Sequence, residues 1–76
     1  MNVERRKLLS KARDLVSEAQ SLVSQAAEEE RDYFDSMPES LQGGDKGRRA
    51  EEVCDSLEEI SDNLEQALND IEGAAE

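Results

Sequence analysis

The chain has 76 residues, with 20 acidic and 9 basic side chains, one cysteine, no histidine and a net charge of −11. This length allows a single domain over residues 1–76, and neither an internal disulfide nor a zinc site built on His or paired Cys is possible. The charge argues against direct binding of nucleic acid or of an anionic membrane, since both require a positive protein surface.

The first predicted element is a long amphipathic helix over residues 3–35. Apolar residues recur there in alternating steps of four and three, as one face of a helix requires, and the segment contains neither glycine nor proline. The predicted core stripe comprises Leu8, Ala12, Leu15, Ala19, Leu22 and Ala26, with Leu9, Val16 and Val23 widening it.

The second predicted element is a corner over residues 36–45, which holds the only proline and two of the four glycines. Ser36 and Glu39 have the spacing of a capping box, so a short helical turn is predicted to begin there. Asp45 is predicted to cap the following helix. Four apolar side chains are expected to cover this end of the structure or to contact a partner: Tyr33, Phe34, Met37 and Leu41.

The third predicted element is a second amphipathic helix over residues 46–73, with Gly73 as its expected stop. Its core stripe repeats the steps of four and three. The stripe comprises Val53, Leu57, Ile60, Leu64, Ala67 and Ile71. Cys54 flanks the stripe and is interpreted as a small buried apolar side chain.

These elements predict an all-α fold in which two long amphipathic helices pack antiparallel as a helical hairpin or coiled coil. The basic start of the first helix would then lie beside the acidic end of the second, and Arg48 and Arg49 beside the acids of residues 30–35. One hairpin leaves part of each wide stripe uncovered, so we expect two copies to pair into a four-helix bundle.

A row of carboxylates is the strongest feature of the second helix. Its members are Glu51, Asp55, Glu58, Asp62, Glu65 and Glu72. The acids of this helix recur about every 4 Å along the axis, close to the spacing of roughly 3.4 Å between phosphates of one DNA strand. The row is therefore either a recognition face that competes with nucleic acid for a protein partner or a solvated face without a target.

No set of side chains in the sequence predicts catalysis. The chain lacks histidine, its carboxylates stand at surface spacings, and two helices do not enclose a pocket easily. We therefore expect no enzyme activity, no catalytic residue, no metal and no cofactor. The start of the chain is charged and then carries only two leucines, so we expect no signal peptide, no membrane span and a cytoplasmic location.

Residues 32–52, DYFDSMPESLQGGDKGRRAEE, resemble a segment of small proteins encoded by bacteriophages and prophages. In those proteins a long helix ends in an aromatic and acidic run, followed by Met-Pro-Glu-x-Leu-Gln, a glycine-containing turn and an Ala- and Glu-rich helix. The resemblance implies a two-helix core, a bacterial host cytoplasm and a protein partner from host or phage. It transfers no catalytic residue.

The functional expectation is a non-enzymatic protein–protein interaction module of phage type. It would inhibit a host defence or nucleic-acid-handling protein through its acidic row, in the manner of a DNA mimic. The alternative is a structural, homo-oligomeric helical bundle that has no foreign target.

Overall fold

The computed structural model describes residues 2–75, and helices account for nearly all of them. Three helices follow one another in this range: α1 over Val3–Asp35, α2 over Glu39–Gln42 and α3 over Asp45–Ala75. No strand occurs within residues 2–75. The predicted all-α class is thereby confirmed. The molecule is a narrow rod whose Cα atoms extend over 59 × 14 × 13 Å.

The start of α1 is fixed by Asn2. Its side-chain oxygen accepts a hydrogen bond from the Arg5 amide at 2.8 Å, which satisfies one of the free donors of the first turn. The helix then runs for 33 residues without a glycine or proline. It ends at Asp35 with Ser36 as its C-cap, because Pro38 disfavours helical backbone at the preceding Met37.

The corner differs from the predicted capping box. Ser36 is the C-terminal cap of α1, and its amide donates to the Asp32 carbonyl at 3.0 Å. Pro38 occupies the N-cap position of α2 and makes no side-chain cap hydrogen bond. The capping-box prediction is wrong because Ser36 is still occupied in closing α1. The Gln42 side chain instead ties the corner to α1 by donating to the Phe34 carbonyl at 3.1 Å.

The boundaries of α3 also differ from the prediction. Asp45 is the first residue of the helix rather than the residue before it, and its carboxylate accepts from Arg48 at 2.8 Å. The helix continues through Gly73 to Ala75. Gly73 does not stop the helix, because stopping at a glycine usually requires a positive φ and no glycine of the described chain adopts one.

The helices α1 and α3 lie side by side and run in opposite directions. Ser24 of α1 is hydrogen-bonded to Ser61 of α3, and Arg31 of α1 reaches Glu58 of α3. Each helix contributes one contact row of half-buried or buried residues that recur in steps of three and four. The α1 row contains Leu9, Ala12, Val16, Ala19, Val23 and Ala27, and the α3 row contains Ala50, Cys54, Leu57, Ser61, Leu64, Leu68, Ile71 and Ala75.

The predicted core stripe is wrong at five positions. Leu8, Leu15 and Leu22 are 69%, 58% and 60% exposed, and Ile60 of α3 is 44% exposed. Ala26 of α1 is exposed as well. The contact row of α1 lies one residue later, at Leu9, Val16 and Val23. Both rows have the same spacing, so periodicity alone does not choose between them. The buried hydrophobic residues within the described chain are small: Ala27, Ala50 and Cys54.

Candidate functional site

The contacts between the helices define two opposite sides of the rod. Ser24 follows Val23 of the α1 contact row by one position, Arg31 lies seven residues after Ser24 on the same side of the helix, and both touch α3. On α3, Asp55 follows Cys54 by one position and lies 3.7 Å from Arg31. Each residue turns an α-helix by about 100°. Because α1 and α3 run in opposite directions, the residues that follow the contact rows by one position lie on the same side of the rod in both helices. The residues that precede the contact rows by one position lie on the opposite side of the rod.

The first side carries the acidic face, which we define as the exposed carboxylates of the predicted row. They are Glu51, Asp55, Glu58, Asp62, Glu65 and Glu72. Two open grooves lie between the helices on this side. One is lined by Ser24, Arg31, Glu58 and Ser61, among others, and the second by residues including Arg6, Arg13 and Glu72.

Arg31 is the residue through which α1 contacts the acidic face. Its guanidinium lies 3.2 Å from Glu58 Oε1 and 3.7 Å from Asp55 Oδ1. The pKa of Arg31 is raised above its ordinary value, first by the hydrogen bond to Glu58, so this group stays charged. Within residues 2–75 the other four carboxylates of the acidic face make no ion pair. Most of the face therefore keeps its negative charge free for solvent or a partner.

The predicted ion pairs of Arg48 and Arg49 with the acids of α1 do not form. Arg48 pairs with Asp45 at 2.8 Å, and Arg49 lies 3.8 Å from Glu52. Both partners are three residues away in α3 itself, which is a favoured spacing on a helix surface. Sequence reasoning missed Arg31 instead. Its position seven residues after Ser24, on the same side of α1, is the signal that could have identified it.

The second side carries the leucine face, which we define as Leu8, Leu15 and Leu22 of α1 with Ile60 of α3. Each leucine precedes a contact-row residue by one position, and Ile60 precedes Ser61 in the same way. Counting from the Ser24–Ser61 pair, Leu22 and Ile60 lie about 4.5 Å apart along the axis. The α3 residues of the same row, Val53 and Ala67, are half-buried. The leucine face therefore spans both helices.

The four corner candidates divide into two pairs. Tyr33 and Leu41 are exposed, whereas Phe34 and Met37 are half-buried. The Met37 amide donates to the Phe34 carbonyl at 3.1 Å, and the same carbonyl accepts from the Gln42 side chain. Phe34 and Met37 therefore belong to the folded corner, and Tyr33 and Leu41 are the two that a partner could contact.

Cys54 has no exposed surface. Burial raises the pKa of its thiol, so the neutral form is favoured. The residue lies in the centre of the contact between the helices, between Ala50 and Leu57 of the same row, rather than on its flank. It behaves there as a small apolar side chain.

Residues 2–75 contain no cluster of His, Cys, Asp and Glu side chains arranged to hold a metal ion. None of the helices in that range combines the length and the apolar character needed to cross a bilayer.

Comparison with known proteins gave no relative. The chain matches no protein-family model, and neither the curated proteins nor the solved structures contain a significant match.

Proposed function

We propose that this protein is a non-enzymatic interaction module whose acidic face binds a basic groove on another protein. The observation that carries the proposal is the run of six exposed carboxylates along one side of α3, of which two contact a base. Like charges in a row repel one another and lower the stability of the folded state. A partner surface of opposite charge would relieve that repulsion.

The proposed partner is a protein whose basic groove otherwise holds a nucleic-acid backbone. The acidic face extends from Glu51 to Glu72 over about 32 Å of rigid helix, with carboxylates three, four or seven residues apart. A protein that neutralises many phosphates presents lysines and arginines along such a line. The resemblance of residues 32–52 to phage and prophage proteins supports a host defence or nucleic-acid-handling protein as the target, in the bacterial cytoplasm.

The second candidate function is a structural one. The leucine face is exposed along both helices, and large apolar surfaces of this kind commonly mark contacts between proteins. A homo-oligomeric helical bundle would use this face and need no foreign target. The two candidates use opposite sides of the rod, so substitutions can separate them.

The test compares two variants that lose five charges each. The first carries Glu51→Gln, Asp55→Asn, Glu58→Gln, Asp62→Asn and Glu65→Gln. The control carries Glu4→Gln, Asp14→Asn, Asp35→Asn, Glu39→Gln and Glu59→Gln, which changes the same residue types outside the acidic face and the leucine face. Both variants and the original protein are immobilised, and proteins retained from a bacterial lysate are identified at low and high salt.

The expected result is a set of proteins held by the original chain and by the control but lost from the acidic-face variant. Those proteins should also be released by high salt and by added duplex DNA, because the Debye length shrinks and DNA competes for the same groove. Retention of the same proteins by the acidic-face variant would exclude recognition through this face. So would the absence of any protein whose retention depends on it.

A further inference from the structure

We infer that a second copy of this chain covers the leucine face, with the two α1 helices packed against each other in opposite directions. The two corners would then lie at opposite ends of the assembly, and the two acidic faces would point outward. This inference does not rest on the acidic-face proposal, because it concerns the other side of the rod.

The need for a partner follows from how little one chain buries. The buried hydrophobic residues of the described chain are two alanines and one cysteine, whereas the leucine face exposes three leucines and an isoleucine. Chains of this length rarely bury enough apolar surface to be stable alone, and oligomerisation is one of the usual remedies. Covering the leucine face would bury four of the seven large hydrophobic side chains that the described chain exposes.

The surroundings of the leucine face suit burial. The α3 residues at its outer border are Ser56, Asn63 and Asp70, so this border carries one charge, while the acidic face lies on the other side of the helix. Two copies of a protein with a net charge of −11 repel each other, so they can pair only through a side that carries little of that charge. The leucine face is such a side.

The spacing of the leucines favours a two-fold axis near Leu15. Leu8 and Leu22 each lie seven residues from it, so an axis there places Leu15 beside its own copy and Leu8 beside the partner's Leu22. The contact is then self-complementary, as a two-fold interface requires.

The charges beside the leucines favour the antiparallel direction. Lys11 and Glu18 lie on the same edge of the leucine face, one turn before and after Leu15. An axis near Leu15 brings Lys11 of each copy against Glu18 of the other. In a parallel arrangement the two-fold axis would place these edges on opposite sides of the contact, so Lys11 and Glu18 of different copies would not pair.

The charge of α1 as a whole points the same way. Residues 3–17 carry five bases and two acids, whereas residues 18–35 carry six acids and one base. With the axis near Leu15, antiparallel packing places residues 3–12 of each α1, which carry four bases, against residues 18–27 of the other, which carry Glu18 and no base. A parallel pair would instead place the two basic segments side by side. Complementary charge of this kind fixes the direction of a contact more than its strength.

The overlap of two such chains is large enough for a specific interface. With the axis near Leu15, about 24 residues of each α1 overlap, which is a length of roughly 36 Å. The rod has a Cα width of 14 Å, so each copy contributes at least about 500 Å² and the pair buries about 1,000 Å² or more. That total reaches the size expected of a biological interface.

The first experiment measures the mass of the purified protein by sedimentation equilibrium at micromolar concentration. The original chain should sediment at about twice its 8.5 kDa mass. Leu15→Gln and Leu22→Gln should shift it toward the monomer. Leu41→Gln is the matched control, because Leu41 is 50% exposed but lies at the corner, and it should leave the mass unchanged.

The second experiment tests the relative direction of the two α1 helices by charge reversal. It does not depend on the leucine variants, so it remains informative if they unfold. Lys11→Glu alone and Glu18→Lys alone should each weaken the dimer roughly tenfold in Kd, because each creates two like-charge contacts. The double variant, Lys11→Glu with Glu18→Lys, should restore it. In a parallel dimer Lys11 and Glu18 of different copies lie on opposite sides of the contact, so the single reversals would have little effect.

The third experiment measures the distance between the two corners with spin labels on Ser40→Cys, since native Cys54 has no exposed surface to label. The labels should lie about 60 Å apart or more, because each corner is roughly 25 residues from the axis.

A monomeric original chain would overturn the inference, and so would leucine variants that remain fully dimeric. Labels that lie within about 25 Å of each other would place the corners at one end and overturn the antiparallel direction.

The same mass measurement separates this inference from the proposed function. The five-charge variant of the acidic face keeps every residue of the leucine face and should stay dimeric. Loss of the lysate partner with an intact dimer would support the acidic face as the binding side. A dimer without any protein partner that depends on the acidic face would support only the structural function.

Discussion

The side-chain oxygens of Ser24 and Ser61 lie 2.8 Å apart, in a half-buried position between α1 and α3. Each hydroxyl supplies the hydrogen-bond partner of the other in an otherwise apolar contact. A slip of either helix by one turn moves the two groups apart by about 5.4 Å and breaks the bond. The pair therefore helps to select one register for the two helices.

The serine pair predicts a non-additive response to substitution. Ser24→Ala or Ser61→Ala alone should lower the free energy of unfolding by about 1 kcal/mol, because each leaves a half-buried hydroxyl without its partner. The double variant should be close to the original protein, since both polar groups are gone. Urea unfolding at one fixed protein concentration measures all four chains. Simple addition of the two single effects would mean that the hydroxyls do not depend on each other.

Two glycines of α3 should respond oppositely to the same change. A Cβ on Gly47 would collide with the backbone of Gln42, whereas one on Gly73 would meet nothing. Gly47→Ala should therefore destabilise the protein by about 2 kcal/mol or more. Gly73→Ala should be neutral or stabilise by up to about 1 kcal/mol, through helix propensity. Thermal unfolding compares them, and equal effects would show that Gln42 does not pack against Gly47.

The neighbouring residues Ala26 and Ala27 test which row of α1 faces α3. Ala27 is buried and Ala26 is exposed. Ala27→Leu should overpack the contact and cost about 1–3 kcal/mol, while Ala26→Leu should not destabilise the fold. Circular dichroism during urea unfolding measures both. If Ala26→Leu were the damaging change, the contact row would lie one residue earlier than described.

Cys54 makes stability depend on pH in the alkaline range. Burial raises the pKa of its thiol in the folded state above that in the unfolded chain. The contribution of the neutral thiol is therefore complete below the ordinary pKa of about 8.5 and is lost as pH rises through the folded-state value. The difference in unfolding free energy between the original protein and Cys54→Ala should therefore shrink as the pH rises above about 8.5, because only the original chain carries the thiol.

The same residue provides a second readout. A thiol-reactive dye should label Cys54 slowly in the native protein and rapidly in denaturant, because the side chain has no exposed surface. A control with an exposed thiol, Ser40→Cys, should react at once at its new position. Fast labelling of the original chain without denaturant would contradict the buried position of Cys54.

The sequence determines some of these features more strongly than others. A long apolar period without glycine or proline is sufficient to predict helix, and the all-α class follows from it. The period does not decide between Leu22 and Val23 as the contact position, because both belong to rows with the same spacing. That choice depends on how closely the helices approach at Ala27, Ala50 and Cys54, which is a property of the packed pair.

The role of Ser36 at the corner and the contact of Arg31 with the acidic face also depend on how the helices pack. The sequence around Ser36 matches a capping box, but in the structure Ser36 is the C-terminal cap of α1. The acidic row was visible as a pattern, whereas the reach of Arg31 to Glu58 depends on which side of α1 faces α3. Local propensity fixes the elements, and the contacts between elements fix these assignments.

The regular contact rows of α1 and α3 also limit how the length of the rod can change. Each row nearly repeats after seven residues, so an insertion keeps the pattern only if seven residues enter both helices at facing positions. One added residue in a single helix would turn everything beyond it by about 100° and bring charged side chains into the contact. Longer or shorter versions of this protein should therefore differ by increments of about 10.5 Å along the axis. In every such version the apolar and acidic sides would remain opposite each other.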